Sequence, residues 1–246
     1  MKTAIGTLDT TVVQRNAGRP RAAVILCHGY GAPGDDLVGL ADALIETHPS
    51  LKDVRFYFPS APLSLGQTGY GEGRAWWSLD MVQLQKVQRG SLEDLRQFRE
   101  KEPEGLPAAR KALSAMVNEV LKQTGLPMNA LVLGGFSQGA MLSTDVTLRL
   151  EEAPAALAIL SGTLLTESVW HVKAQKRAGL RVFQSHGTQD PVLRFDAAQL
   201  LQNLLTHAGA KLEFVQFNGG HGIPPQVLTK LAAFIDISIQ HRTAAP

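Results

Sequence analysis

The chain has 246 residues, 44% hydrophobic and 19% charged, with a formal net charge of +2. This is an ordinary globular composition, which excludes disordered and collagen-like chains, and the length suits one large α/β domain better than two. The mild charge, without a dense Lys/Arg run, argues against nucleic acid or an anionic membrane surface as the main partner.

The opening stretch "MKTAIGTLDTTVVQ" has no long apolar segment and no small-residue cleavage site, so it does not read as a signal peptide. No apolar run reaches the roughly 18 residues a membrane helix needs. A lone cysteine, Cys27, allows no internal disulfide and suits a reducing compartment. A soluble cytoplasmic protein is expected.

Six short apolar runs follow: "AAVILCHG" (22–29), "VRFYFPSAP" (54–62), "ALVLGGFS" (130–137), "ALAILSG" (156–162), "LRVFQSHG" (180–187) and "LEFVQFNGG" (212–220). Each is continuous rather than alternating and ends in turn residues, as strands covered on both faces do. Helical patterns lie between them near 35–47, 107–124, 138–150, 193–208 and 225–240. Strand–helix alternation predicts a mostly parallel sheet with helices on both faces. No repeat or low-complexity linker interrupts it, so residues 1–246 are expected to form a single α/β domain.

Residues 63–105 break the rhythm. Glycines ("LGQTGYGEGRAWW") lead into a charged stretch ("QKVQRGSLEDLRQFREKEPEG"), too long for a plain connection. A short helix or two over one end of the sheet is expected, either as a surface excursion or as a lid beside a pocket.

Ligands bind at the carboxyl ends of strands in open α/β sheets, and the polar motifs collect there: "CHGYG", "GFSQG", "SGTLL", "SHGTQDP" and "GGHGIP". "GFSQG" is a G-x-S-x-G string directly after a strand and before a helix, the context of a nucleophile held on a sharp turn. Gly135 and Gly139 let such a turn pack closely, and the following helix aims its N-terminal amides beside Ser137. Such a string often occurs by chance; its context here points to catalysis.

A serine hydroxyl needs a base to take its proton, and the base needs an acid to orient it. Among His171, His186, His207, His221 and His241, His221 stands in "NGGHGIPP", after the last strand and between glycines. His207 and His241 fall on or after helices, His171 has no matching context, and His186 reads as structural beside the acid. Asp190 in "HGTQDPVL" is the acid, with a helix cap as its alternative role. Asp196 and Asp236 are expected on helix surfaces. The oxyanion donors are expected to be the backbone amides of Gln138 and of Tyr30, in the loop "HGYGAPGDD". His28 is assigned to holding that loop rather than to catalysis.

"CHGYG", "FPSAP", "RAWW", "LGGFSQGA", "LSG", "HGTQDPV" and "GGHGIP" come in the order found in the phospholipase/carboxylesterase family, which includes acyl-protein thioesterases and small bacterial carboxylesterases. The resemblance covers about residues 22–237. It implies an α/β-hydrolase fold with no metal or organic cofactor, Ser137, Asp190 and His221 as the triad, and the Tyr30 and Gln138 amides as the oxyanion hole. The chain departs from the family in having Cys27 where a leucine is common before His-Gly, in "WWSLD" for a Trp-Phe-Asp pattern, and in a longer segment after it.

Cys27 is expected to be a small core residue. Of Trp76 and Trp77, one is expected to line the acyl site and the other to pack the lid, with Leu164, Leu165 and Ile223 adding apolar wall. No H-x-x-x-H or C-x-x-C spacing suggests a metal. The expected activity is a serine carboxylesterase working through an acyl-enzyme on a small-molecule ester or thioester. An acyl-protein thioesterase or lysophospholipase on the same triad is the nearer alternative, and a noncatalytic binding protein on a hydrolase fold the more distant one.

Overall fold

The structure, a computed structural model, describes residues 1–80, 90, 91, 96 and 99–240. The chain opens with a hairpin, β1 (Lys2–Ile5) and β2 (Leu8–Val13), then runs through β3 (Ala22–Cys27), α1 (Gly39–Thr47), β4 (Val54–Pro59) and the short strands β5 (Leu63–Ser64) and β6 (Arg74–Ala75). It continues with α2 (Leu106–Thr124), β7 (Leu131–Phe136), α3 (Gln138–Arg149), β8 (Ala156–Leu160) and α4 (Glu167–Ala174), and closes with β9 (Arg181–Gly187), α5 (Phe195–His207), β10 (Lys211–Phe217) and α6 (Pro225–Gln240).

The strands order as β1-β2-β4-β3-β7-β8-β9-β10. From β4 to β10 all neighbours are parallel, while β2 pairs antiparallel with both β1 and β4. Parallel neighbours require crossovers, and the helices that make them cover both faces. Alternate residues of one strand therefore enter different cores. Ile25, Leu133 and Ile159 pack with Leu113, Leu142, Trp170 and Leu201 under α2–α5. Val24, Leu26 and Val132 pack with Leu44, Leu231 and Ile235 under α1 and α6. Every residue of β3 and of β8 is buried, which explains their unbroken apolar runs.

Three features differ from the sequence expectation. The β1–β2 hairpin was not among the predicted strands; it turns at Gly6, whose φ of 60° favours glycine. The helix α4 was missed as well. β10 is not covered on both faces, because it is the sheet edge: Lys211, Glu213 and Gln216 are exposed.

Within 63–105, β5 and β6 pair antiparallel; residues 81–89, 92–95, 97 and 98, where the charged excursion was expected, lie outside the described residues. Beyond them Arg99 pairs with Glu167 at 3.0 Å, Ser168 donates to Glu100 at 2.6 Å, and Arg110 pairs with Glu102. Among the described residues no helix is long and apolar enough to cross a membrane.

Candidate active site

The turn between β7 and α3 places Ser137 at φ 54° and ψ −117°, a conformation that a residue with a side chain rarely adopts. Backbone bonds hold it: Ser137 N–H donates to the Leu160 carbonyl at 2.8 Å, and its own carbonyl accepts from Met141 N–H at 3.1 Å. The flanking glycines make this possible. A Cβ on Gly139 would lie 2.1 Å from the Cys27 carbonyl oxygen, and one on Gly135 2.4 Å from the same atom. The first turn of α3 thus abuts the end of β3 directly.

Asp190 and His221 come from the loops after β9 and β10. These loops touch backbone to backbone: Thr188 N–H donates to the Phe217 carbonyl at 2.9 Å and Gln189 N–H to the Gly219 carbonyl at 3.0 Å. The contact sets His221 Nδ1 2.7 Å from Asp190 Oδ2. A carboxylate can only accept, so Nδ1 carries the hydrogen and Nε2 is left as the basic nitrogen. Asp190 Oδ1 accepts from the amides of Val192 and Leu193 at 2.8 and 2.9 Å. Asp190 therefore braces its own loop rather than capping α5, whose N-cap is Arg194. Burial alone would raise the Asp190 carboxyl; the hydrogen bonds from His186, His221 and the Leu193 amide outweigh it and hold the group well below the usual carboxylate range. The Phe136 ring packs on the His221 ring at 4.7 Å between centroids.

His28 clamps the loop ahead of Tyr30. Its Nε2 accepts from the Ala61 amide at 3.0 Å, which puts the hydrogen on Nδ1, 2.8 Å from the Gly29 carbonyl oxygen. Burial pushes the His28 pKa down, against a smaller upward effect of the Gly29 bond. Beyond Tyr30, Gly31 N–H donates to the Arg74 carbonyl at 2.9 Å and Arg74 N–H to the Ala32 carbonyl at 3.0 Å.

Ser137, His221, Tyr30 and Gln138 share one cavity of about 260 Å³, walled by Trp77, Leu79, Met141, Leu165, Val192 and Leu193 among others. A broader polar groove of about 740 Å³ beside the N-terminal hairpin includes none of these residues.

Of the residues expected to line the pocket, Trp77 and Leu165 do so, and Trp76, Leu164 and Ile223 do not. The Trp76 indole instead donates to the His28 carbonyl at 2.9 Å, behind the loop that carries Tyr30. Leu164 is buried in the core under α2–α5, and Ile223 packs against the opposite core. Asp236 is buried rather than on a helix surface, and bonds Arg21 at 2.7 Å. His171 and His207 are exposed, and Asp196 is tied to Arg194 at 2.6 Å. His241 lies outside the described residues. Cys27 is buried, and burial pushes its thiol up to about 12.

Sequence reasoning missed the Gln138 side chain. Its Oε1 accepts from Trp76 N–H at 2.9 Å and its Nε2 donates to the Trp77 carbonyl at 2.8 Å. It clasps the Trp76–Trp77 segment to the start of α3, a role that a lone glutamine does not advertise.

The parallel sheet and the strained serine turn at its centre make this an α/β-hydrolase fold. Residues 8–239 match the model of the phospholipase/carboxylesterase family, and the chain belongs to that family. It is similar to acyl-protein thioesterase 1 of Eremothecium gossypii, 29% identical over 91% of each chain. The namesake from Mycosarcoma maydis is 28% identical over 93% of this chain and 96% of its own. The solved structure of esterase PE8 superposes with a TM-score of 0.77 at 26% identity, over 94% of this chain and 98% of that one.

Proposed function

We propose that this chain is a serine carboxylesterase. His221 Nε2 takes the Ser137 proton, Ser137 Oγ attacks the ester carbonyl, and the Tyr30 and Gln138 amides hold the oxyanion. His221 returns the proton to the leaving alcohol. Water then hydrolyses the acyl-enzyme by the same route, and Asp190 keeps the hydrogen on His221 Nδ1 throughout. The observation that carries this is the 2.7 Å Asp190–His221 bond, made at a cavity that His221 shares with the strained Ser137.

The apolar wall of the 260 Å³ cavity suits a short or medium acyl chain. A thioester substrate is the second reading, favoured by the names of the fungal relatives. The test is hydrolysis of p-nitrophenyl esters from acetate to palmitate, beside matched thioesters, with Ser137→Ala as control. A short-chain ester optimum lost in the variant is expected. A palmitoyl thioester optimum would move the assignment to an acyl-protein thioesterase, and turnover equal in both proteins would remove Ser137 from the chemistry.

A further inference from the structure

His186 is the next-to-last residue of β9 and takes no part in the proposed reaction. Its ring is fully buried. Nε2 lies 3.1 Å from Asp190 Oδ2 and 2.9 Å from the Leu193 carbonyl oxygen. Both are acceptors, so the hydrogen belongs on Nε2. Nδ1 is buried and meets no partner among the described residues, so the opposite tautomer would strand an N–H and leave two acceptors facing a lone pair.

The consequence is a division of labour on Asp190. Oδ1 accepts two loop amides, while Oδ2 accepts from His186 and from His221. Leu193 is held twice, through its amide by Asp190 and through its carbonyl by His186. Loop, carboxylate and strand end are thereby locked together. The Phe195 ring packs near the His186 imidazole, 6.2 Å between centroids.

We propose that His186 is a positioning residue for the hydrolysis: its Nε2–H, shared between Asp190 and Leu193, fixes the carboxylate that orients His221 and limits the negative charge that Oδ2 presents to it. The proposal rests on the triad reading above. Among the described residues, two titratable side chains bond Asp190, His186 from β9 and His221 from the loop ahead of α6, and its Oδ1 accepts from the amides of Val192 and Leu193.

Without the His186 hydrogen bond, Oδ2 would concentrate its charge on His221 and favour the protonated ring. The acid limb of kcat/KM should then move to higher pH. Looser orientation should lower kcat, while KM should change little, because His186 is not itself on the cavity wall and Leu193, which is, keeps its amide bond to Asp190. A histidine that only filled space would, when replaced, lower Tm and leave the acid limb in place.

The experiment is the pH profile of p-nitrophenyl butyrate hydrolysis by wild type, His186→Gln, His186→Met and Ser137→Ala, with active sites counted by a labelled fluorophosphonate. The glutamine amide can place an N–H where Nε2–H lies, and should keep the wild-type acid limb. The methionine variant should shift that limb up by about half a pH unit or more and lose about 10-fold to 100-fold in kcat with little change in KM, the scale of one hydrogen bond to a charged group. If it fails to fold, His186→Asn, whose amide stops short of the Nε2 position, carries the same expectation. Variants that lose stability yet keep the wild-type acid limb and kcat would overturn the proposal. An active Ser137→Ala would instead overturn the triad reading on which it rests.

Discussion

Ser137 sits in a strained turn because its neighbours leave the backbone no other course. Gly139→Ala should be among the most damaging small substitutions in the chain. Its methyl would lie 2.1 Å from the Cys27 carbonyl oxygen, a backbone atom that no side-chain rotation can move aside. Overpacking costs about 1–3 kcal/mol and occasionally more; against backbone the upper end is expected, read as loss of Tm together with loss of activity. Asp190→Asn keeps the shape but can present an N–H toward His221 Nδ1, which favours the wrong tautomer. Turnover should fall by about 10⁴-fold with the fold intact, measured by kcat and circular dichroism. Ser137, Asp190 and His221 were all legible as candidates, because each lies in a short motif whose turn chemistry is local. The cavity wall was not. Trp77, Met141, Leu165 and Leu193 come from four separate segments, and only the packed sheet decides that Trp77 faces the serine while Trp76 turns to His28.

At the scale of elements, the parallel strands announced themselves because burial on both faces demands unbroken apolar runs. The β1–β2 hairpin did not, since "KTAI" and "LDTTVV" are largely exposed or half-buried and mix Thr, Lys and Asp with apolar residues. The short helix α4 fixes itself chiefly through Trp170, whose indole N–H donates to Asp145 at 2.8 Å. Asp145 is fully buried in α3 and also pairs with Arg110 of α2 and with Arg149 of its own helix. Three helices thus converge on one carboxylate. Asp145→Ala would leave the Trp170 N–H without this acceptor and both arginines without their shared partner. It should destabilise the protein by about 3–5 kcal/mol in urea unfolding, while kcat per folded molecule stays near wild type because Asp145 does not line the cavity. A large loss of kcat in the folded variant would mean that the helices transmit strain to the serine turn.

Across the whole molecule, acid should weaken the fold in two stages. The His28 pKa lies below its ordinary 6.5 in the folded state. The unfolded chain therefore takes up protons first, and stability falls as pH drops from about 6.5 toward the folded value. Asp190 is likewise depressed from 3.8, so its contribution is complete above that pH and is lost on further acidification. Thermal melts between pH 7 and 5 should show a decline in Tm that is shallower in His28→Ala, which has no imidazole to protonate; an equal decline in both proteins would assign the loss to other groups.

The most direct test of the catalytic assignment is to react the folded protein with a labelled fluorophosphonate and map the adduct by peptide mass spectrometry, using Ser137→Ala and His221→Ala as controls. The expected result is one adduct, on Ser137, absent from the first variant and formed far more slowly in the second. Labelling at another serine, or labelling of Ser137 at the same rate without His221, would contradict the assignment of nucleophile and base.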